Sequence, residues 1–151
     1  MQDYSRLVGI DVGTKRIGVA RTDLLQTIAS PVGTFSPDDI LAELKALVED
    51  SKIEKFIVGW PLNPNGEEGR ATDMVDEFIK KILSKHFPDI PVVRIDERYT
   101  SNKALDLMLE AGVPKQKRKE KGRRDRIAAA IILQNYLDSQ DNYGNSTHRN
   151  I

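Results

Sequence analysis

The sequence predicts an α/β fold built on a five-stranded mixed sheet with helices on both faces. Short apolar runs rich in branched residues alternate with segments whose apolar residues recur at helical spacing. The first three runs are joined by short turns, which favours antiparallel pairing. The later runs are each entered from a helix, which favours parallel pairing. The predicted order is therefore β-β-β-α-β-α-β-α.

Composition points to one globular domain. The chain has 151 residues, of which 39% are hydrophobic and 30% charged, enough for a core of its own. It has no cysteine, which excludes a disulfide framework or a thiolate metal site. It shows no basic leader and no run able to cross a bilayer, so we expect a cytoplasmic protein with no membrane partner. We expect the domain to cover residues 1–138 and residues 139–151 to be a disordered tail.

The first two strands are predicted over residues 7–10 and 17–20, on either side of the turn Gly13-Thr14-Lys15. Asp11 comes where the first strand ends, so its carboxylate is expected at the rim of the sheet. That position suits a metal ligand. The alternative is that Asp11 only caps the turn.

Further elements follow in order. A third strand is predicted over residues 28–35, at a sheet edge because it contains Pro31. Ser36 is then the predicted N-cap of a helix, with Pro37 at its first position and Asp39 completing a capping box. A fourth, buried strand over residues 55–60 leads into a turn-rich loop at its carboxyl end, where α/β sheets commonly carry function.

The second half contains two more acidic residues placed at element boundaries. A helix over residues 71–85 precedes a strand over residues 92–97, and Glu97 ends that strand. A short helix is predicted over residues 102–111. Asp125 then stands at the first turn of a largely buried helix, either as a partner of the helix dipole or as a functional group.

The three acids Asp11, Glu97 and Asp125 are predicted to converge. The first two end strands that could lie side by side, and the helix that begins near the third could cover them. Carboxylate oxygens without histidine or cysteine select Mg²⁺ or Mn²⁺, and clustered carboxylates persist mainly when a cation neutralises them. The chemistry that follows is attack of metal-activated water on a phosphodiester.

Basic residues form a second pattern. The net charge is zero, with 23 basic and 23 acidic residues, yet residues 115–126 hold eight basic residues against two acids, which leaves 15 against 21 elsewhere. This segment predicts a contact with a phosphate backbone, although a solvated loop is the alternative. The candidate nucleic-acid-binding residues, beside the acids and in this segment, are Lys15, Arg16, Arg98, Lys117, Arg118, Lys119, Lys121, Arg123 and Arg124.

Four blocks of sequence, taken together and in order, resemble the YqgF (RuvX) family of ribonuclease H-like nucleases, also described as Holliday junction resolvase-like. The blocks are residues 9–20, residues 58–66 with Val58-Gly59 and Pro61-Leu62-Asn63, residues 96–101, and residues 125–133. The resemblance runs from about residue 7 to residue 138.

This resemblance implies a ribonuclease H-like fold and a divalent-metal nuclease that trims the 5′ end of the small-subunit ribosomal RNA precursor. It carries the catalytic and metal-binding roles onto Asp11, Glu97 and Asp125. Precursor rRNA is the implied partner, branched DNA and ribosomal particles are further candidates, and the oligomeric state stays open. Two departures stand out: Gly122 and Ala128 occupy places where related resolvases present a fourth acid, and Trp60 replaces a smaller aliphatic residue.

Other functions fit less well. The opening motif also resembles the phosphate-binding hairpin of actin-like ATPases and sugar kinases, but those folds need a second such domain. A Walker loop is excluded because Arg16 follows Gly13-Thr14-Lys15 where serine or threonine is required. A non-catalytic nucleic-acid-binding module remains the alternative, and a cleavage assay separates it from a nuclease.

Overall fold

The structure, a computed structural model, describes residues 4–97 and 122–149. The strands in these residues are β1 (Arg6–Val12), β2 (Ile17–Thr22), β3 (Ala29–Phe35), β4 (Ile53–Trp60) and β5 (Val92–Asp96). The helices are α1 (Ile40–Asp50), α2 (Arg70–Phe78), which continues as a π-helical segment (Ile79–Ser84), and α3 (Arg123–Arg149). No helix in these residues is long and apolar enough to cross a membrane.

The five strands form one mixed sheet in the order β3-β2-β1-β4-β5. β1, β2 and β3 pair antiparallel through their short turns, whereas β4 pairs parallel with both β1 and β5. The predicted five-stranded mixed sheet is therefore confirmed.

One expectation about the sheet is wrong. The sequence suggests that the strands leading to Asp11 and Glu97 could lie side by side, but β4 lies between β1 and β5. The reason is that β1 has only two edges. The hairpin places β2 on one and the crossover through α1 places β4 on the other, so β5 cannot pair with β1 and instead pairs with the far side of β4.

Side chains alternate between two cores on the two faces of the sheet. Val8, Phe56 and Val58 face α1 and α2 and are fully buried there with Leu44. Leu7, Ala20 and Ile57 face the opposite way and pack against Ala129 and Leu133 of α3. Helices therefore cover both faces as predicted, and the face beneath α3 is the one to which Gly9 and Asp11 belong by alternation with Leu7.

Two helix boundaries differ from the expected ones. α1 begins at Ile40 rather than at Pro37, and its N-cap, Asp39, makes no side-chain capping bond. Ser36 instead closes a turn ahead of the helix: its Oγ accepts the Asp39 N–H at 3.2 Å and its carbonyl accepts the Ile40 N–H at 3.0 Å.

The last helix is longer than expected, because α3 begins at Arg123 and its backbone stays helical through Arg149, into the tail predicted to be disordered. A helix nucleated by a buried segment extends at low cost per residue. The helix and basic segment predicted between residues 98 and 121 lie outside the described residues.

Candidate active site

Asp11 and Glu97 meet across β4. Asp11 belongs to β1, Glu97 follows directly after β5, and their carboxyl groups share a hydrogen bond. Both side chains are partly buried beneath α3. Two of the three predicted acids are therefore in contact, although their strands are not neighbours.

Burial raises the pKa of both carboxyl groups because it removes water from the charged form. The pKa of Glu97 rises to about 8, first through burial, then through the charge of Asp11, the hydrogen bond to it and the charge of Asp96. Burial also raises the pKa of Asp11. The hydrogen bond from Glu97 opposes that rise and the charge of Asp125 adds to it. At neutral pH Glu97 is therefore protonated and donates to the Asp11 carboxylate.

Asp125, the third predicted acid, lies in the first turn of α3. Its charge acts on Asp11, but its Oδ2 accepts a hydrogen bond from Nε of Arg16 at 2.9 Å. This ion pair joins the hairpin turn to the start of α3, residues 109 apart in the sequence. Within residues 4–97 and 122–149 no three acidic or histidine side chains stand together as ready-made metal ligands.

The start of α3 lies directly on the sheet because Gly18 has no side chain. A Cβ at Gly18 would lie 2.0 Å from the carbonyl oxygen of Asp125. Gly18 is also the register partner of Asp11 across the hairpin. The backbone of Asp125 is thus held above the strand next to Asp11.

Gly122, the residue before α3, is also attached to the sheet. It has a φ of +86°, and its carbonyl oxygen accepts a hydrogen bond from the hydroxyl of Thr34 in β3. This bond fixes the start of α3 relative to β3.

The predicted nucleic-acid-binding residues fall into two groups. Lys15 and Arg16 are exposed in the hairpin turn, and Arg123 and Arg124 occupy the first turn of α3 beside Asp125. The others lie outside the described residues and stay predictions: Arg98, Lys117, Arg118, Lys119 and Lys121.

Trp60 packs on the sheet face opposite the acids. Its ring lies against the core formed with α1 and α2, and the guanidinium of Arg94 covers it at 4.8 Å from the ring centroid. Asp76 holds Arg94 through a 3.0 Å ion pair. Trp60 therefore has a packing role here.

The donor set fits a hard divalent cation. Asp11 and Glu97 offer only carboxyl oxygens, and a cation placed between them would replace the proton that now joins them. Asp125 could add a third carboxylate if it exchanged Arg16 for the cation. Sequence reasoning missed two parts of this arrangement: the Arg16–Asp125 ion pair and the position of the Glu97 carboxyl group over Gly59.

The five-stranded mixed sheet in this order, with helices on both faces, is a ribonuclease H-like fold. A RuvC structure from Thermus thermophilus superposes with a TM-score of 0.56 at 15% identity, over 89% of this chain and 96% of that one. The T. thermophilus RuvC in complex with a Holliday junction substrate gives 0.52 at 18% identity, over 85% and 92%. These likenesses confirm the fold class.

A family profile described as RuvX, Holliday junction resolvase, matches residues 5–139, and the chain belongs to this family. A relative from Salinibacter ruber is 48% identical over 138 residues, which cover 91% of this chain and 96% of that protein. One from Chlorobium phaeobacteroides is 44% identical over 137 residues, 91% of this chain and 94% of that one. Both are named "Putative pre-16S rRNA nuclease". The predicted family and nuclease class are confirmed.

Proposed function

We propose that this chain is a divalent-metal-dependent endonuclease that hydrolyses phosphodiesters in structured nucleic acid and processes the 5′ end of the small-subunit ribosomal RNA precursor. The observation that carries the proposal is the contact between Asp11 and Glu97 within reach of the charge of Asp125. The names of the relatives support precursor rRNA as the substrate. The cytoplasm, with precursor-containing ribosomal particles as partners, is the setting that this substrate implies.

Asp11, Glu97 and Asp125 would hold the cation, Mg²⁺ or Mn²⁺. When bound, the cation supplies a Lewis acid that lowers the pKa of its water and stabilises charge on the phosphate. Glu97 would release its shared proton to solvent when a cation binds, because proton and cation would compete for the same oxygens. We therefore expect cation affinity to rise with pH up to about 8, where Glu97 loses its proton.

Arg16 is the residue we assign to the reacting phosphate. Its Nε is held by Asp125, and no hydrogen bond within the described part of the chain uses its terminal amino groups. Those groups can donate to two phosphate oxygens while the guanidinium stays beside the acids. Lys15 adds charge at the same turn.

The experiment compares Asp11→Asn with the unaltered protein on precursor rRNA that carries its 5′ leader and on a four-way DNA junction. Each substrate is incubated with Mn²⁺, with Mg²⁺ and with chelator. We expect cation-dependent cleavage of the rRNA and a loss of about 100-fold or more in Asp11→Asn, because an amide cannot replace a charged ligand. Asp89→Asn, an exposed change in the turn before β5 and at the opposite end of that strand, is the matched control. Equal rates for Asp11→Asn and the parent would refute the assignment.

Two other functions have an observation in their favour. The profile description and the RuvC likeness favour a resolvase of branched DNA, which cleavage of the junction alone would establish. The Arg16–Asp125 pair, which neutralises the third acid, favours a non-catalytic binding module. Binding of either substrate without cleavage under every cation would establish that module.

A further inference from the structure

β4 separates the strands that lead to Asp11 and Glu97, so their carboxyl groups meet only above it. β1 and β5 are two strand spacings apart, about 10 Å. Ile10 pairs with Val58, which places Asp11 level with Gly59 in the middle strand. A Cβ at Gly59 would lie 2.1 Å from Oε1 and 2.9 Å from Cδ of Glu97. Any side chain at this position would therefore collide with the Glu97 carboxyl.

The backbone itself does not require glycine at this position. Within the described residues, the glycines with φ in the left-handed region are Gly66 and Gly122. Gly59 lies inside a strand, where glycine weakens the element because it adds backbone entropy to the unfolded chain and packs nothing. Glycine is needed here because the Glu97 carboxyl group occupies the space that a side chain would fill.

We propose that Gly59 is a positioning residue that lets Glu97 cross β4 and reach Asp11, so that the two carboxyl groups form one site. The inference rests on the proposed function in one respect: the pair is taken as the place where the cation binds.

Gly59 also faces α3, so the effect of a side chain on α3 must be separated from its effect on Glu97. The same Cβ would lie 2.8 Å from Cδ1 of Ile132, so part of any effect of Gly59→Ala comes from helix packing. Ile132→Val removes that methyl group and leaves the contact with Glu97. Gly33 supplies the control: the three atoms nearest to a Cβ there all belong to the ring of Phe35, the closest at 2.8 Å, so neither an acid nor α3 is among them.

The test uses the full chain and two measurements that need no cleavage. Isothermal titration calorimetry gives Mn²⁺ affinity, and carbon-13 NMR of the side-chain carboxyl follows the protonation of Glu97 in metal-free protein. For Gly59→Ala combined with Ile132→Val we expect affinity at least tenfold weaker than for Ile132→Val alone. We also expect the Glu97 midpoint to fall from about 8 toward its ordinary value of 4.5, since a carboxyl turned out of this position gains water and loses the charge and hydrogen bond of Asp11. Gly33→Ala should leave both measurements unchanged.

Unchanged affinity and an unchanged Glu97 midpoint in the double variant would overturn the inference. If the unaltered protein binds no Mn²⁺ while the midpoint still falls in the double variant, the proposed function fails and the positioning role stands. If the double variant does not fold, a crystal structure of the unaltered protein with Mn²⁺ decides. Glu97 lying over the Cα of Gly59 supports the role, and Glu97 directed elsewhere overturns it.

Discussion

At the scale of single residues, the proton shared by Asp11 and Glu97 makes the stability of the protein depend on pH. Glu97 titrates near 8 in the folded protein but near 4.5 when it is not perturbed, so the folded state binds this proton more tightly than the unfolded chain does. The stabilisation is fully present below about pH 4.5 and is lost as pH rises through 8. Metal-free protein should therefore become less stable between pH 5 and 8.

Glu97→Gln removes this titration, because glutamine can still donate a hydrogen bond to Asp11 and carries no charge. We expect the metal-free variant to be about 1–2 kcal/mol more stable than the parent at pH 8. This free energy is smaller than the full pKa shift of Glu97 would give, because solvent screens the charge of a partly exposed side chain. We expect no stabilisation of the variant by Mn²⁺. Thermal unfolding with and without chelator measures both. The exposed Glu49→Gln in α1 is the control, and a parent whose stability is flat from pH 5 to 8 would contradict the argument.

Arg16 and a cation compete for Asp125, which gives Arg16→Gln two opposite effects. Loss of the 2.9 Å ion pair frees the carboxylate, so Mn²⁺ affinity should rise severalfold. Loss of the guanidinium removes the donor assigned to the phosphate, so cleavage should slow at least tenfold. Calorimetry and single-turnover cleavage separate the two effects. Lys15→Gln, in the same turn but without a role at Asp125, should leave the affinity unchanged. A fall in affinity in Arg16→Gln would show that the arginine organises Asp125 for the cation.

At the scale of elements, local sequence predicts much of the structure and long-range contacts decide the rest. The hairpin, the edge position of β3 and the two core faces follow from turn residues and from alternation, which are properties of neighbouring positions. The contact between Arg16 and Asp125 joins residues 109 apart, and no local pattern predicts it. The passage of Glu97 over Gly59 depends on the position of β4 between β1 and β5, which the edge constraints of the whole sheet determine.

The close packing of α3 on the sheet at Gly18 gives a testable prediction at the scale of elements. Gly18→Ala would place a methyl group 2.0 Å from the Asp125 carbonyl oxygen, and backbone cannot move aside as a side-chain tip can. We expect a loss of about 1–3 kcal/mol in stability, together with weaker Mn²⁺ binding, because the first turn of α3 is displaced. Denaturant unfolding and calorimetry measure the two effects.

Gly33→Ala in the edge strand β3 is the comparison for Gly18→Ala. The nearest atoms to its Cβ belong to the ring of Phe35, with the closest at 2.8 Å, and that ring can turn away. A Gly33→Ala effect as large as that of Gly18→Ala would assign the loss to strand propensity rather than to the position of α3.

At the scale of the whole molecule, charge is distributed so that the end of the sheet carrying the acids also carries basic residues. Lys15 and Arg16 lie in the hairpin turn, and Arg123 and Arg124 begin α3. The sequence adds the basic segment of residues 115–126 directly before and within that first turn. We therefore expect this chain of zero net charge to bind a polyanion at the end of the sheet that carries the acids.

The prediction that follows concerns salt. Nucleic-acid binding that neutralises Z phosphates weakens with salt at a logarithmic slope of about 0.7–0.9 per phosphate, because condensed counterions are released. The tested variant replaces four basic residues by glutamine: Lys117, Arg118, Lys119 and Lys121. We expect weaker binding of precursor rRNA and a slope smaller by up to about 3, measured by fluorescence anisotropy between 50 and 200 mM salt. The control replaces four exposed lysines outside the basic segment: Lys45 of α1, Lys52 just before β4, Lys80 of the π-helical segment and Lys85 just after it. Because α1, α2 and the π-helical segment cover the sheet face opposite the acids, and β4 starts beside Arg6 at the far end of β1 from Asp11, their loss should leave the slope unchanged. Equal slopes for both variants and the parent would instead mean that the basic segment does not contact the phosphate backbone.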